Sequence, residues 1–250
     1  MIALFIAALL LCVIGFTYKS KIIQDFRPFI LLVSLVYFGF INGGCPCVLS
    51  YFQGFILFLT GKTSIWLGFV VVVTLLALSV LFGSIWCGWL CWLGALQEFL
   101  FQKTRLRLLK TKKAQTILFY IQTGIFAILV FWIILMQRPV LCAYDPFLSI
   151  FKLKILTKPN WIGYITVPLL LLSSLLIYRP FCRIVCPVGW LLYIVKFIPF
   201  ARKMKITECT GCQRCHKYCK MDAIHGKEIE KTCTFCGECK KAECRTIKRN

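Results

Sequence analysis

The chain has 250 residues, of which 60% are hydrophobic and 16% charged, with a mean hydropathy of +0.81. Soluble domains carry about a quarter charged residues, so an ordinary soluble domain is excluded and the chain reads as a membrane protein. The formal charge of +21, from 30 basic against 9 acidic side chains, would suggest nucleic acid as the partner of a soluble protein. Here the basic residues flank apolar runs, the pattern that orients helices in a bilayer, and no nucleic-acid role is needed.

Residues 1–18 are an unbroken apolar run followed by Lys19, Lys21 and Arg27, a charge order that predicts an uncleaved span with its N-terminus outside. Cys12 within it reads as a packing residue. A second span is expected from about Phe29 to Gly44, ending at Cys45-Pro46-Cys47. Residues 48–60 fall short of the about 20 needed to cross a hydrocarbon core and read as a re-entrant half-helix on the outer side. Gly61-Lys62-Thr63-Ser64 looks like the end of a phosphate loop, but Ile56 stands where the earlier glycine is required, so that motif is absent.

A third span, about Ile65 to Gly83, leads to Trp86-Cys87-Gly-Trp-Leu-Cys91 and then to Lys103, Arg105, Arg107, Lys110, Lys112 and Lys113. Such a basic loop belongs inside. A fourth span, about Ala114 to Met136, goes out to Cys142, Tyr144 and Asp145, and a fifth, about Ile162 to Tyr178, returns to Phe181-Cys182-Arg-Ile-Val-Cys186-Pro-Val-Gly189. The predicted fold is an all-α polytopic membrane domain over residues 1–200, with about five spans and the half-helix. A small α+β domain, residues 201–250, follows on the cytoplasmic face of an inner, cytoplasmic membrane.

Cys87-x3-Cys91-x2-Gly94 and Cys182-x3-Cys186-x2-Gly189 are one motif in two copies, each at the inner end of a span. Duplication in register suggests a pseudo-symmetric pair. On a helix, positions i and i+4 lie about 5–6 Å apart on one face, so each copy is expected to present two sulfurs, and the two copies together four. Packing of small residues at crowded helix ends is the competing explanation.

Half of the chain's 16 cysteines lie in the tail, at Cys209, Cys212, Cys215 and Cys219 and at Cys233, Cys236, Cys239 and Cys244. Each set opens with a C-x2-C-x2-C run, the step that wraps one corner of a cubic iron-sulfur cluster. Structural zinc also uses C-x2-C pairs but has no use for a third cysteine at that step. In a reducing cytoplasm the thiols are not expected to form disulfides. The tail resembles bacterial two-cluster ferredoxins, with Met221-Asp222-Ala223-Ile224 after the first run, while Lys220 and Arg245 replace the usual prolines. In those ferredoxins the fourth cysteine of each run crosses to the other cluster. The resemblance thus implies Cys209, Cys212, Cys215 and Cys244 for one [4Fe-4S] cluster and Cys233, Cys236, Cys239 and Cys219 for the other. His216 is expected to shield or tune a cluster, and His225 to be a turn residue.

Two C-x3-C motifs at span ends, the second continuing to Pro187, together with a two-cluster tail resemble the NapH family of membrane quinol dehydrogenases and the C-terminal part of NosR-type maturation proteins. The first copy departs in having Trp92 in place of proline. The resemblance covers roughly residues 65–250 and implies a membrane iron-sulfur protein that exchanges electrons with the quinone pool and with other redox subunits.

The outer cysteines Cys45, Cys47 and Cys142 suit a soft metal such as Cu(I), zinc or a cluster, or an oxidised pair of Cys142 with Cys45 or Cys47. Packing is again the competing explanation. Tyr144 and Asp145 are candidates for taking protons from a quinol. The functional expectation is electron transfer between a quinone or an outer site and the tail clusters. A third cluster or copper at Cys87, Cys91, Cys182 and Cys186 would lie between them. Alternatives are a cupric reductase of the oxidase-assembly type and a redox-sensing maturation partner.

Overall fold

The computed structural model describes residues 21–44, 47–61, 66–101, 111–139, 146–151, 161–198, 204–206, 214–225, 228–239 and 247–249. Within them the chain is mostly helical. α1 (Lys21–Ser34) runs on as a π-helical stretch, Leu35–Ile41, and α2 (Val48–Leu59) and α3 (Trp66–Phe82) follow. A second π-helical turn, Trp86–Leu90, leads into α4 (Trp92–Leu100) and then α5 (Lys112–Met136). After α6 (Pro146–Phe151) and α7 (Trp161–Leu176) come two short helices, α8 (Pro180–Ile184) and α9 (Pro187–Val195).

In the tail, β1 (Met204–Ile206) pairs antiparallel with β4 (Ile247–Arg249), setting Met204 opposite Arg249. Between them lie α10 (Arg214–Tyr218) and the ribbon of β2 (Ile224–His225) with β3 (Glu228–Ile229). Strand structure among the described residues is confined to these two ribbons.

Helix ends follow local chemistry. α5 stops at Gln137, which takes the left-handed conformation at φ 50° and turns its amide back to the Ile134 carbonyl at 2.8 Å. α2 and α3 form a tight hairpin because two glycines let their backbones approach. A Cβ on Gly68 would sit 2.8 Å from the Tyr51 carbonyl oxygen and from the Gly54 carbonyl carbon, the small-residue contact by which helices pack without large side chains between them.

Residues Lys113–Met136 form a helix long and apolar enough to cross a membrane, and only 11% of its apolar window is buried within the chain. Ile117, Tyr120, Ile128, Phe131 and Leu135 are exposed along it. Val48–Leu59, Trp66–Phe82 and Ile165–Leu176 are apolar but shorter. The expected segments at 29–44, 48–60, 65–83 and 162–178 correspond to α1 with its π extension, α2, α3 and α7. The expected first span, residues 1–18, lies outside the described residues.

Candidate metal centre

Spacing alone places the two cysteines of each C-x3-C motif one turn apart on a continuous helix. The structure instead breaks each helix at the second cysteine. Cys91 (φ −66°, ψ 108°) and Cys186 (φ −66°, ψ 113°) are extended residues that open α4 and α9. Their partners lie in the preceding turns, Cys87 in Trp86–Leu90 and Cys182 in α8. Pro187 explains the second break, since the residue before a proline is pushed out of the helical region. Trp92 holds the same place in the first copy and follows an almost identical cysteine backbone without a proline.

The break aims main-chain donors at sulfur. Gly189 N–H donates to Cys186 Sγ at 3.4 Å, and the Gly94 and Leu93 amides face the Cys91 sulfur. These are unpaired N–H groups of a helix's first turn, where the dipole favours a negative group. The recurring glycine three residues after each second cysteine thus has a structural counterpart in both copies.

Side chains cross between the copies. Gln97 of α4 places Nε2 3.7 Å from Cys182 Sγ and accepts the Phe181 N–H at 3.0 Å. Gln122 of α5 donates to the carbonyls of Cys182 and Cys186 at 3.3 and 3.0 Å. Arg179 donates to the Cys87 carbonyl. The sulfurs share one neighbourhood: Cys186 interacts electrostatically with Cys182, Cys87 and Cys91. Burial pushes all four thiols up, Cys182 to about 12, so ligation has to displace their protons. Among the described residues no three His, Cys, Asp or Glu side chains are grouped to hold one metal ion. A cubane sets each thiolate on a separate iron and spaces them further apart.

Beside these sulfurs lies a cavity of about 80 Å³ with Cys87, Cys182, Ser84, Arg179, Lys196 and Thr234 in its wall. The hydroxyls of Ser84 and Thr234 and the Nε of Arg179 are buried with no hydrogen-bond partner among the described residues. An unsatisfied buried group costs about 1–3 kcal/mol, so three around one cavity call for an acceptor-rich occupant. No carboxylate is among the described wall residues. A thiolate-bound [4Fe-4S] cluster, anionic at about −2 and with sulfides that accept hydrogen bonds, fits this donor set.

The tail closes over the same place. Phe235, held at φ 56°, accepts the Trp89 indole N–H on its carbonyl at 3.2 Å. Gly83 gives its ring room, since a Cβ there would come within 2.7 Å of it. A Cβ on Gly88 would run into the Thr234 carbonyl. Cys219 interacts electrostatically with Cys236 and Cys233, and burial pushes its thiol up to about 12. The Cys219 sulfur accepts the Ala223 N–H at 3.4 Å, and Cys233 that of Phe235 at 3.5 Å. The structure therefore brings Cys219 beside the second run. Cys215 and Cys239 are buried. Cys209, Cys212 and Cys244 lie outside the described residues. So do Cys45, Cys142, Tyr144 and Asp145, while Cys47 is buried at the start of α2.

Residues 64–113 and 159–206 match a family profile described as a 4Fe-4S binding domain. These two segments are similar to that domain and make up less than half of the chain. They are the segments with Cys87 and Cys91 and with Cys182 and Cys186, so the profile falls on the duplicated motif and not on the tail. The chain is 29% identical to the uncharacterized protein MJ0750 of Methanocaldococcus jannaschii over 87% of its own length and 91% of that protein. It is 31% identical to MJ0749 of the same organism, over 66% and 63%. With the regulatory protein NosR of Pseudomonas aeruginosa the identity is 29% over 88% of this chain, which spans only 33% of NosR. No solved structure matches the chain.

One feature around these matched segments has no motif in the sequence. Arg27, Glu98 and Arg179 form a buried ionic knot, with the Arg27 guanidinium on both Glu98 oxygens at 2.9 and 2.7 Å and Arg179 on the same carboxylate at 2.7 Å. Arg27 also donates to the Gly88 carbonyl at 3.0 Å, and Glu238 and Lys220 of the tail join at 3.3 and 3.4 Å. The available signal was the rarity of acids, since Asp25, Glu98 and Asp145 are the only ones in residues 1–200.

Proposed function

We propose that the chain is a membrane-bound iron-sulfur electron-transfer protein working within a larger redox system, between the quinone pool and clusters on the cytoplasmic side. The observation that carries this is the meeting of the two family-matched segments at one donor-rich cavity whose wall also includes Thr232 and Thr234 of the tail's cysteine loop. Cys87, Cys91, Cys182 and Cys186 are assigned to one cluster. Cys233, Cys236, Cys239 and Cys219 are assigned to a second, and Cys209, Cys212, Cys215 and Cys244 to a third. Bound clusters supply one-electron transfer, and the protein supplies position and potential.

The residues have distinct tasks in this scheme. The Gly94, Gly189, Ala223 and Phe235 amides stabilise negative sulfur. Burial of Trp89 and Trp92 keeps water from the membrane-face site. The span order, N-terminus outside and tail in the cytoplasm of a multi-pass membrane protein, is supported by the outward apolar faces of the helices and the basic inner loop. On the outer side, Tyr144 and Asp145 are assigned to take protons from a quinol. A test is anaerobic addition of a quinol analogue to the purified protein with EPR detection of reduced clusters. Reduction that is lost in Asp145→Asn supports the scheme. A second reading, a redox-sensing regulatory partner, is favoured by the name of the NosR relatives. Clusters that dithionite reduces and a quinol analogue does not would favour it.

A further inference from the structure

We propose that Lys196 is a positioning residue that sets the potential of two redox centres at once, the membrane-face site and the Cys219/Cys233/Cys236/Cys239 site. The proposal rests on the reading that both hold clusters. Lys196 follows the last turn of α9, ten residues after Cys186, and only 6% of it is exposed. Its ammonium donates to the carbonyls of Lys231 and Cys233 at 2.6 and 2.5 Å and lies 5.6 Å from the centre of the Phe235 ring. It also walls the cavity that contains Cys87. The thiol groups it interacts with electrostatically are Cys233 of the tail and Cys87 of the first C-x3-C motif.

Its neighbours show why this cation differs from the other buried ones. Arg27 and Arg179 share the Glu98 carboxylate. Lys196 has carbonyls for its hydrogen-bond acceptors among the described residues, and a buried ammonium supported by dipoles alone is poorly compensated. An anionic group on each side would compensate it. A fixed cation favours the more negative, reduced state of any nearby cluster and so raises its potential. Acting on both sites from one position, Lys196 raises the two together and makes both easier to reduce without opening a large step between them. An electron can then pass between the Cys87 side and the Cys233 side in either direction.

The test is an EPR-monitored redox titration of anaerobically purified wild type, Lys196→Gln and Lys196→Arg, with iron counted in each. Lys196→Gln keeps a hydrogen-bond donor and removes the charge, while Lys196→Arg keeps the charge. In Lys196→Gln two midpoint potentials are expected to fall together, each by about tenfold in the reduction equilibrium, or about 59 mV for one electron. The third stays in place, and Lys196→Arg restores the wild-type values. Unmoved potentials in Lys196→Gln at full iron content would overturn the role of Lys196 and leave the cluster assignments standing. A wild-type count of about eight irons would remove the membrane-face cluster and the shared role with it. A fall in both variants alike would mean that loop geometry, not charge, is responsible.

Discussion

The guanidinium of Arg27 grips both carboxylate oxygens of Glu98 at 2.9 and 2.7 Å across 71 positions of sequence. With Arg179 on the same carboxylate, the contact ties α1, the first C-x3-C segment and the second into one buried unit. Such groups are costly to bury and costlier to leave unpaired. Glu98→Gln, which removes the charge that two buried guanidiniums share, is expected to cost about 3–5 kcal/mol, read as a lowered thermal midpoint of the detergent-solubilised protein. Lys220→Met is expected to cost less than about 1 kcal/mol, because that side chain is 40% exposed. Equal losses would contradict the hierarchy.

The same carboxylate gives a pH expectation. Burial raises the Glu98 pKa, but Arg179 and Arg27 outweigh it and hold the carboxyl well below the usual carboxylate range. A depressed folded pKa contributes stability that is complete above the unfolded value of about 4.3 and is lost only as pH falls through the folded value. Wild type minus Glu98→Gln stability, measured by chemical denaturation, is therefore expected to be flat between pH 7 and about 5 and to shrink in stronger acid. A difference that grows on acidification would reverse the sign.

Docking of the tail depends on a missing side chain. Gly88→Ala drives a Cβ into the Thr234 backbone, and overpacking of this kind costs about 1–3 kcal/mol. Limited proteolysis is expected to release the tail faster from that variant. Gly124→Ala, on α5 with nothing within 4 Å of the new methyl, is expected to be neutral or stabilising by up to about 1 kcal/mol. Unchanged cleavage in Gly88→Ala would mean that the contact does not hold the tail.

Gln122 clasps the second motif through the carbonyls of Cys182 and Cys186. Gln122→Leu removes this clasp, leaving the Cys186 carbonyl only the Trp190 N–H at 3.2 Å among the described residues, and is expected to lower iron content from about twelve toward about eight per chain while the tail signals persist. Retention of the full complement would show that Cys182 and Cys186 are held without it.

Much of this was legible in the sequence because it is local. Apolar run lengths placed α2, α3, α5 and α7 to within a few residues, and the repeat of Cys87, Cys91 and Gly94 with Cys182, Cys186 and Gly189 pointed to two segments whose cysteines interact in the structure. The break at each second cysteine was legible only in the Cys186-Pro187 step. At Cys91 the following residue is Trp92, which is buried and stacked 5.2 Å from Phe38, and no neighbouring residue announces the break. Arg27 with Glu98, and Gly88 with Thr234, are contacts between distant segments with no local pattern. Lys220 looked like a departure from the proline of two-cluster ferredoxins and is instead a cation within reach of Glu98.

The most direct test of the membrane-face centre is iron and acid-labile sulfide content with EPR on anaerobically purified protein, wild type beside a variant with Cys87, Cys91, Cys182 and Cys186 changed to serine. About twelve irons falling to about eight, with loss of one cluster signal, is the expected result. About eight irons in both proteins would contradict it and confine the clusters to the tail.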